Sequence, residues 1–127
     1  MERNISLFIL LLTLNSWGQS SKENEILGRK YAEEELNIAL RSKKEHNVVD
    51  NKNLIIKDSL TAVKVAEPIL FSIYGKENIE EQKPYEIYLI NSYWIISGVL
   101  PEDYAGGNFL IIIDGRNSKV IRITHGK

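Results

Sequence analysis

KPYEIYLINSYWIISGVLPEDYAGGNFLIIIDGRNSKVIRITHGK, residues 83–127, decides the fold. Four runs rich in Ile, Val, Tyr, Phe and Trp alternate with turn-forming clusters, the pattern of a small antiparallel sheet. In the first run Tyr85, Ile87 and Leu89 share one face, and Glu86, Tyr88 and Ile90 the other. Asn91 and Ser92 predict a tight turn into a second run over 93–99, where Trp94 and Ile96 share a face with Gly98. The missing side chain at Gly98 suits a bend or a close backbone approach. A loop over 100–108 holds Pro101, Gly106 and Gly107. Phe109, Ile111 and Ile113 then alternate with Leu110 and Ile112, so the third strand is apolar on both faces and belongs in the middle of the sheet. After a turn over 114–118, Ile121 and Ile123 predict the core face of a last strand, with Val120, Arg122 and Thr124 on the other face.

Upstream lies a helix. Asp58 or Ser59 caps its start, and Leu60, Val63, Ala66, Ile69, Leu70 and Ile73 follow a 3.6-residue period up to Gly75. Pro68 interrupts that pattern, predicting either a kink or two abutting short helices. Residues 54–57 (LIIK) read as a short strand, and 75–83 as a polar connection whose only aliphatic residue is Ile79. The fold expected is α+β, with this helix packed on the antiparallel sheet face bearing Trp94, Ile96, Phe109 and Ile111.

The N-terminal third is organised differently. Arg3 precedes the apolar run ISLFILLLTL at 5–14, and Ser16 and Gly18 supply small residues for a cut before Gln19. Residues 1–18 therefore read as a secretory signal peptide, with the mature chain exported to the periplasm or beyond the cell. The run is shorter than the roughly 20 apolar residues a membrane span needs, so no stable anchor is expected after cleavage. Residues 19–53 form a charged arm. Leu27, Tyr31, Leu36, Ala39 and Leu40 give it a narrow apolar stripe, with acidic residues leading and basic ones following. It is either a helix over about 30–44 or a solvated connection, followed by a loop over 46–53. Residues 54–127 make one small domain.

Composition narrows the partners. Formal net charge is −1 with both signs interspersed, so neither a nucleic-acid footprint nor a polybasic membrane patch is present. The chain has no cysteine, so apolar burial alone must hold the exported fold. Asp103, Asp114 and His125 fall in turns or at the terminus, poor places for a buried general base. Gly106 and Gly107 lack the Lys and Ser/Thr of a phosphate loop, and Asp50, Asn51 and Asn53 lack the Gly and distal Glu of a calcium loop. No catalytic residue, cofactor or metal is expected. The candidates for contact are Tyr88, Tyr93 and Tyr104, which offer area with a polar tip, and Glu102 and Asp103, which with Tyr104 make an acidic-aromatic loop suited to a basic surface. Gly106 and Gly107 are expected to let that loop stand clear of the sheet. The competing expectation packs Tyr88 and Tyr93 under the helix and leaves the loop merely solvated.

The segments DSLTAVKVAEPILFSIYG, KPYEIYLINSYWIISGVLP, GGNFLIIID and KVIRITHGK, taken in this order and spacing, resemble the NTF2 fold immunity proteins, small bacterial proteins of polymorphic toxin systems. The matching features are the helix core at 62–67 leading to Tyr74 and Gly75, the strand opening at Lys83, Pro84 and Tyr85, Trp94 with Gly98 and Pro101, and the Gly106–Gly107 pair. The resemblance runs from about Asp58 to the C-terminus. It implies a curved, NTF2/cystatin-like cone and a role in neutralising a cognate protein toxin by binding it, without enzymatic activity. The alternative it carries is a ligand-binding protein or enzyme with a pocket inside the cone.

Overall fold

A computed structural model describes residues 23–104 and 106–126. The expected export signal at 1–18 lies outside the described residues. The chain divides into two units, Met1–Ile38 and Ala39–Lys127. Helix α1 (Gly28–Arg41) occupies the described part of the first and ends in the second. Its good helix formers, an Arg29–Glu33 ion pair of 2.7 Å one turn apart, and Arg41 in the last turn account for it locally. The first turn holds Arg29 and Lys30 and no acidic residue, so the carboxylates lead less than expected. Every residue of α1 is exposed.

In the second unit the chain reaches the sheet through a loop over 42–57. Asp50 accepts the amides of Lys52 and Asn53 and the Asn53 side chain, at 2.9, 2.8 and 2.6 Å. Those bonds hold its carboxyl below the usual range. Both its oxygens therefore serve its own turn. The expected strand at 54–57 does not form. The Ile55 and Ile56 amides instead converge on one acceptor, the Gly115 carbonyl, at 2.9 and 3.0 Å. The Trp94 indole donates to the Ile56 carbonyl at 2.9 Å.

Helix α2 (Ser59–Tyr74) starts where Asp58 accepts the Thr61 amide at 2.8 Å. It runs through Pro68 without a break. Pro68 and Lys64 are both exposed, so the missing helical bond falls on the face of α2 turned away from the sheet. The buried stripe is Ala62, Ala66 and Leu70, while Leu60 and Ile73 are exposed. The sheet-facing stripe is thus rotated from the one drawn through the larger aliphatics, and it presents alanines that permit close approach to the sheet. Gly75, at φ 88°, ends α2 and leads into α3 (Lys76–Glu80), a turn of helix where a plain connection was expected. Its Ile79 is fully buried.

Strands β1 (Glu86–Ile90), β2 (Tyr93–Ser97), β3 (Phe109–Asp114) and β4 (Val120–His125) form one antiparallel sheet in that order. Asn91 and Ser92 make the β1–β2 turn with φ of 48° and 70°, the left-handed pair that matches the strand twist of a two-residue hairpin. Trp94, Ile96, Phe109, Ile111 and Ile113 are buried on the face that receives α2. This is the packing expected from the alternation. One strand departs from it. Ile112 pairs with Arg122 but Ile113 pairs with Val120, so Ile121 is an extra residue in a bulge. Val120 and Ile123 therefore turn to the core side, and Ile121 is 49% exposed, reversing its expected place.

The junction of α3 and the sheet depends on Gln82, 3% exposed. Its side chain donates to the Asn78 carbonyl at 3.0 Å and accepts the Phe109 amide at 2.9 Å, while its own carbonyl accepts the Val99 amide at 2.8 Å. A Cβ at Gly98 would collide with this amide, so the position just after β2 requires glycine. On the other side Tyr85 meets Phe109 edge-on at 5.2 Å and donates its hydroxyl to Glu67 at 2.9 Å.

Candidate partner-binding surface

With Trp94, Ile96, Phe109, Ile111 and Ile113 directed at α2, strand alternation sends their neighbours to the opposite face. One row across that face reads Tyr88, Ile95, Ile112 and Arg122, in register from β1 to β4. The next reads Ile90, Tyr93 and Asp114, and on the other side Glu86, Ser97, Leu110 and Thr124. Tyr88 and Ile90 are each 53% exposed. Ile90, Asn91, Tyr93, Ile95, Ile112 and Ile121 line a shallow, almost wholly apolar hollow of about 330 Å³. A contiguous exposed apolar patch of this kind marks an interaction site more often than an isolated surface aliphatic does.

Tyr93 lines the hollow, and Tyr88 stands beside it opposite Ile95. Tyr88 lies 3.4 Å from Glu86 through its hydroxyl. Tyr93 is fixed by Arg116, whose guanidinium donates to the Tyr93 hydroxyl at 3.1 Å and sits 5.4 Å from the ring centre. The same guanidinium grips Asp114 with two bonds of 2.9 and 2.8 Å. The Asp114 carboxyl, 6% exposed, is held down to about 2, chiefly by that hydrogen bonding and further by the Arg116 amide and Asn117. Because the folded-state value lies below the ordinary 3.8, the resulting stability is complete above that value and is lost as pH falls towards 2. The stability advantage of the natural chain over Asp114→Asn is therefore expected to be constant from neutrality to about pH 5 and to shrink between about pH 4 and 2. Urea unfolding of both proteins across that range checks this, and a gap that does not change with pH would refute it.

The loop residues lie elsewhere. Glu102, Asp103 and Tyr104 are exposed, in a turn closed by the Tyr104 amide on the Pro101 carbonyl at 3.0 Å. Tyr104 borders a separate cavity of about 320 Å³ with Asn78, Glu81, Gln82 and His125 among its other walls. This cavity is on the helix side of the sheet, since His125 pairs with buried Phe109 and its ring is 4.9 Å from that of Tyr74. Gly107 does not hold the loop clear of the sheet. It is packed so closely on Gly126 that any side chain would strike that backbone.

The five expected contact residues thus separate, Tyr88 and Tyr93 onto the outer sheet face and Glu102, Asp103 and Tyr104 into the loop. Neither strand tyrosine lies under the helix. Ile90, Ile95 and Ile112 join the tyrosines on this face, and of the three only Ile112 has a sequence signal, the doubly apolar third strand. Among the described residues no group of His, Asp or Glu is arranged to hold a metal ion. No described helix is long and apolar enough to cross a membrane.

A family model described as NTF2 fold immunity protein matches residues 61–127, from the first turns of α2 through all the strands. Uncharacterized protein YhhH of Escherichia coli K12 is 34% identical over 124 residues, covering 97% of this chain and 85% of that protein. Its similarity therefore includes α1, which the family model does not reach. Uncharacterized protein YbbC of the same organism is 36% identical over 73 residues, 57% of this chain and 60% of its own. No solved structure matches the chain. The helix on a four-stranded antiparallel sheet agrees with the match, and the chain belongs to the NTF2 fold immunity protein family.

Proposed function

We propose that this protein is exported and neutralises a cognate protein toxin by binding it directly, with the outer sheet face as the principal contact. The observation that carries the reading is that face, where Tyr88, Ile90, Tyr93, Ile95, Ile112 and Ile121 present a continuous apolar and aromatic surface to solvent. Aromatic anchors set among aliphatics, with charge at the edge in Glu86 and Arg122, are the composition of a protein contact. The core between α2 and the sheet is packed, since Leu70, Ile79, Ile96, Phe109, Ile111 and Ile113 are all within 1% of complete burial. Family membership supports the same reading. Export rests on the apolar run at 5–14 behind Arg3.

Co-expression with candidate toxins taken from the neighbouring genes tests the proposal in one strain. Rescue of growth, co-purification of the two chains, and a mature N-terminus near Gln19 in the exported fraction are the expected results. Failure of the chains to associate would remove direct neutralisation, and intact protein retained in the cytoplasm would remove export.

A further inference from the structure

We infer that the cavity beside Tyr104 receives an arginine side chain of the protein partner. This rests on the toxin-binding reading and adds a second, chemically distinct contact to it. The cavity is built where α3, the β2–β3 loop and the end of β4 meet, from Asn78, Glu81, Gln82, Tyr104, the two loop glycines and His125. Its volume of about 320 Å³ is at the bottom of the roughly 300–1,000 Å³ range of ligand clefts, a size for a side chain more than for a large ligand.

The lining chooses the charge. It contains one carboxylate, Glu81, and no lysine or arginine. Glu102 and Asp103 flank it on the loop between Pro101 and Tyr104, both of which are part of the wall. Nearby acids are already neutralised, Glu80 by Lys76 at 3.9 Å and Glu67 by Lys83 at 3.6 Å. Glu81, Glu102 and Asp103 have no ion-pair partner among the described residues. Gln82 is spent on Phe109 and Asn78, and the Asn78 side-chain amide donates to the Tyr74 carbonyl at 2.9 Å, leaving its oxygen as an acceptor. Tyr104, 58% exposed, supplies an aromatic surface. A carboxylate, an amide oxygen and a ring suit a guanidinium, which pairs in its plane and stacks on its face, better than a compact ammonium.

A partner touching both surfaces wraps around the end of the sheet, since the cavity lies on the helix side and the apolar hollow on the opposite face. Leu110 and Thr124 of the outer face are chain neighbours of Phe109 and of His125 at the cavity.

The test uses the mature protein and Nα-acetyl-arginine N-methylamide, followed by NMR at low salt. The neutral citrulline analogue is the control for shape without charge. The expected result is saturable movement of the Gly106 and Gly107 amides and the Tyr104 and His125 rings with the arginine probe alone. Glu81→Gln, an exposed change, should weaken it about fivefold without altering Tm. No movement at these residues, an equal response to citrulline, or indifference to Glu81→Gln each overturns the inference. A protein that neutralises its toxin yet ignores the probe loses only the cavity. One that binds the probe but no toxin loses the immunity reading instead.

Discussion

Replacing Trp94 with alanine is expected to cost about 3–5 kcal/mol of folding stability, the usual penalty for deleting a large buried aromatic side chain. Trp94 is 5% exposed and packs among Ile56, the buried strand isoleucines and the α2 stripe. Its indole also satisfies the Ile56 carbonyl at 2.9 Å, so the deletion empties volume and strands an acceptor at the same place. For a domain of this size such a loss is a large fraction of the total. Two further results separate the contributions. Trp94→Phe keeps most of the packing and loses the hydrogen bond, so it should cost less than half as much. In both variants the Ile55 and Ile56 amides, which share the Gly115 carbonyl, should exchange faster with solvent because the segment carrying them is no longer pinned. Denaturant unfolding and hydrogen exchange measure these effects. A cost below about 1 kcal/mol for the alanine variant would show that the indole does not fill the core.

Much of this architecture is legible in the residues because its signals are local. Branched and aromatic runs mark the strands, their alternation identifies Trp94, Ile96, Phe109 and Ile111 as the core face, and Asp58 and Gly75 bracket α2. What escapes depends on tertiary pairing. The five residues of α3 are too few for a period to show, and a lone Ile79 among charges does not announce a buried anchor. Gln82 has no sequence signature at all, because its worth lies in accepting the Phe109 amide at the start of β3, far along the chain. Ile121 is misplaced by alternation because one inserted residue reverses the faces beyond it. Residues 54–57 have strand-like composition, but their amides meet a single carbonyl where a ladder would need a row. For the candidate site, alternation puts Tyr88 and Ile90 together on the face away from the helix but does not say that this face stays uncovered. The helix stripe is also less legible, because the buried positions are the small residues Ala62 and Ala66 and the larger Leu60 and Ile73 are exposed.

The outer face yields the larger functional prediction. Tyr88→Ala, Ile90→Ser and Ile121→Ser, made together, should weaken toxin binding at least about 100-fold, equivalent to roughly 2.7 kcal/mol. Interface energy concentrates in a few well-packed anchors, each costing about 2 kcal/mol or more when truncated. The three side chains are 53%, 53% and 49% exposed, so the folded domain has little packing to lose. Tm should therefore stay nearly unchanged, which distinguishes lost contact from lost fold. Most of the loss should appear as faster dissociation, because apolar anchors hold a complex more than they steer its encounter. Alanine at Glu102, Asp103 and Tyr104 should act differently, slowing association at low salt by removing two exposed negative charges from the approach to a basic partner. Full neutralisation by the sheet-face variant would take that surface out of the interface. Loss of neutralisation in the loop variant alone would move the principal contact to the cavity end.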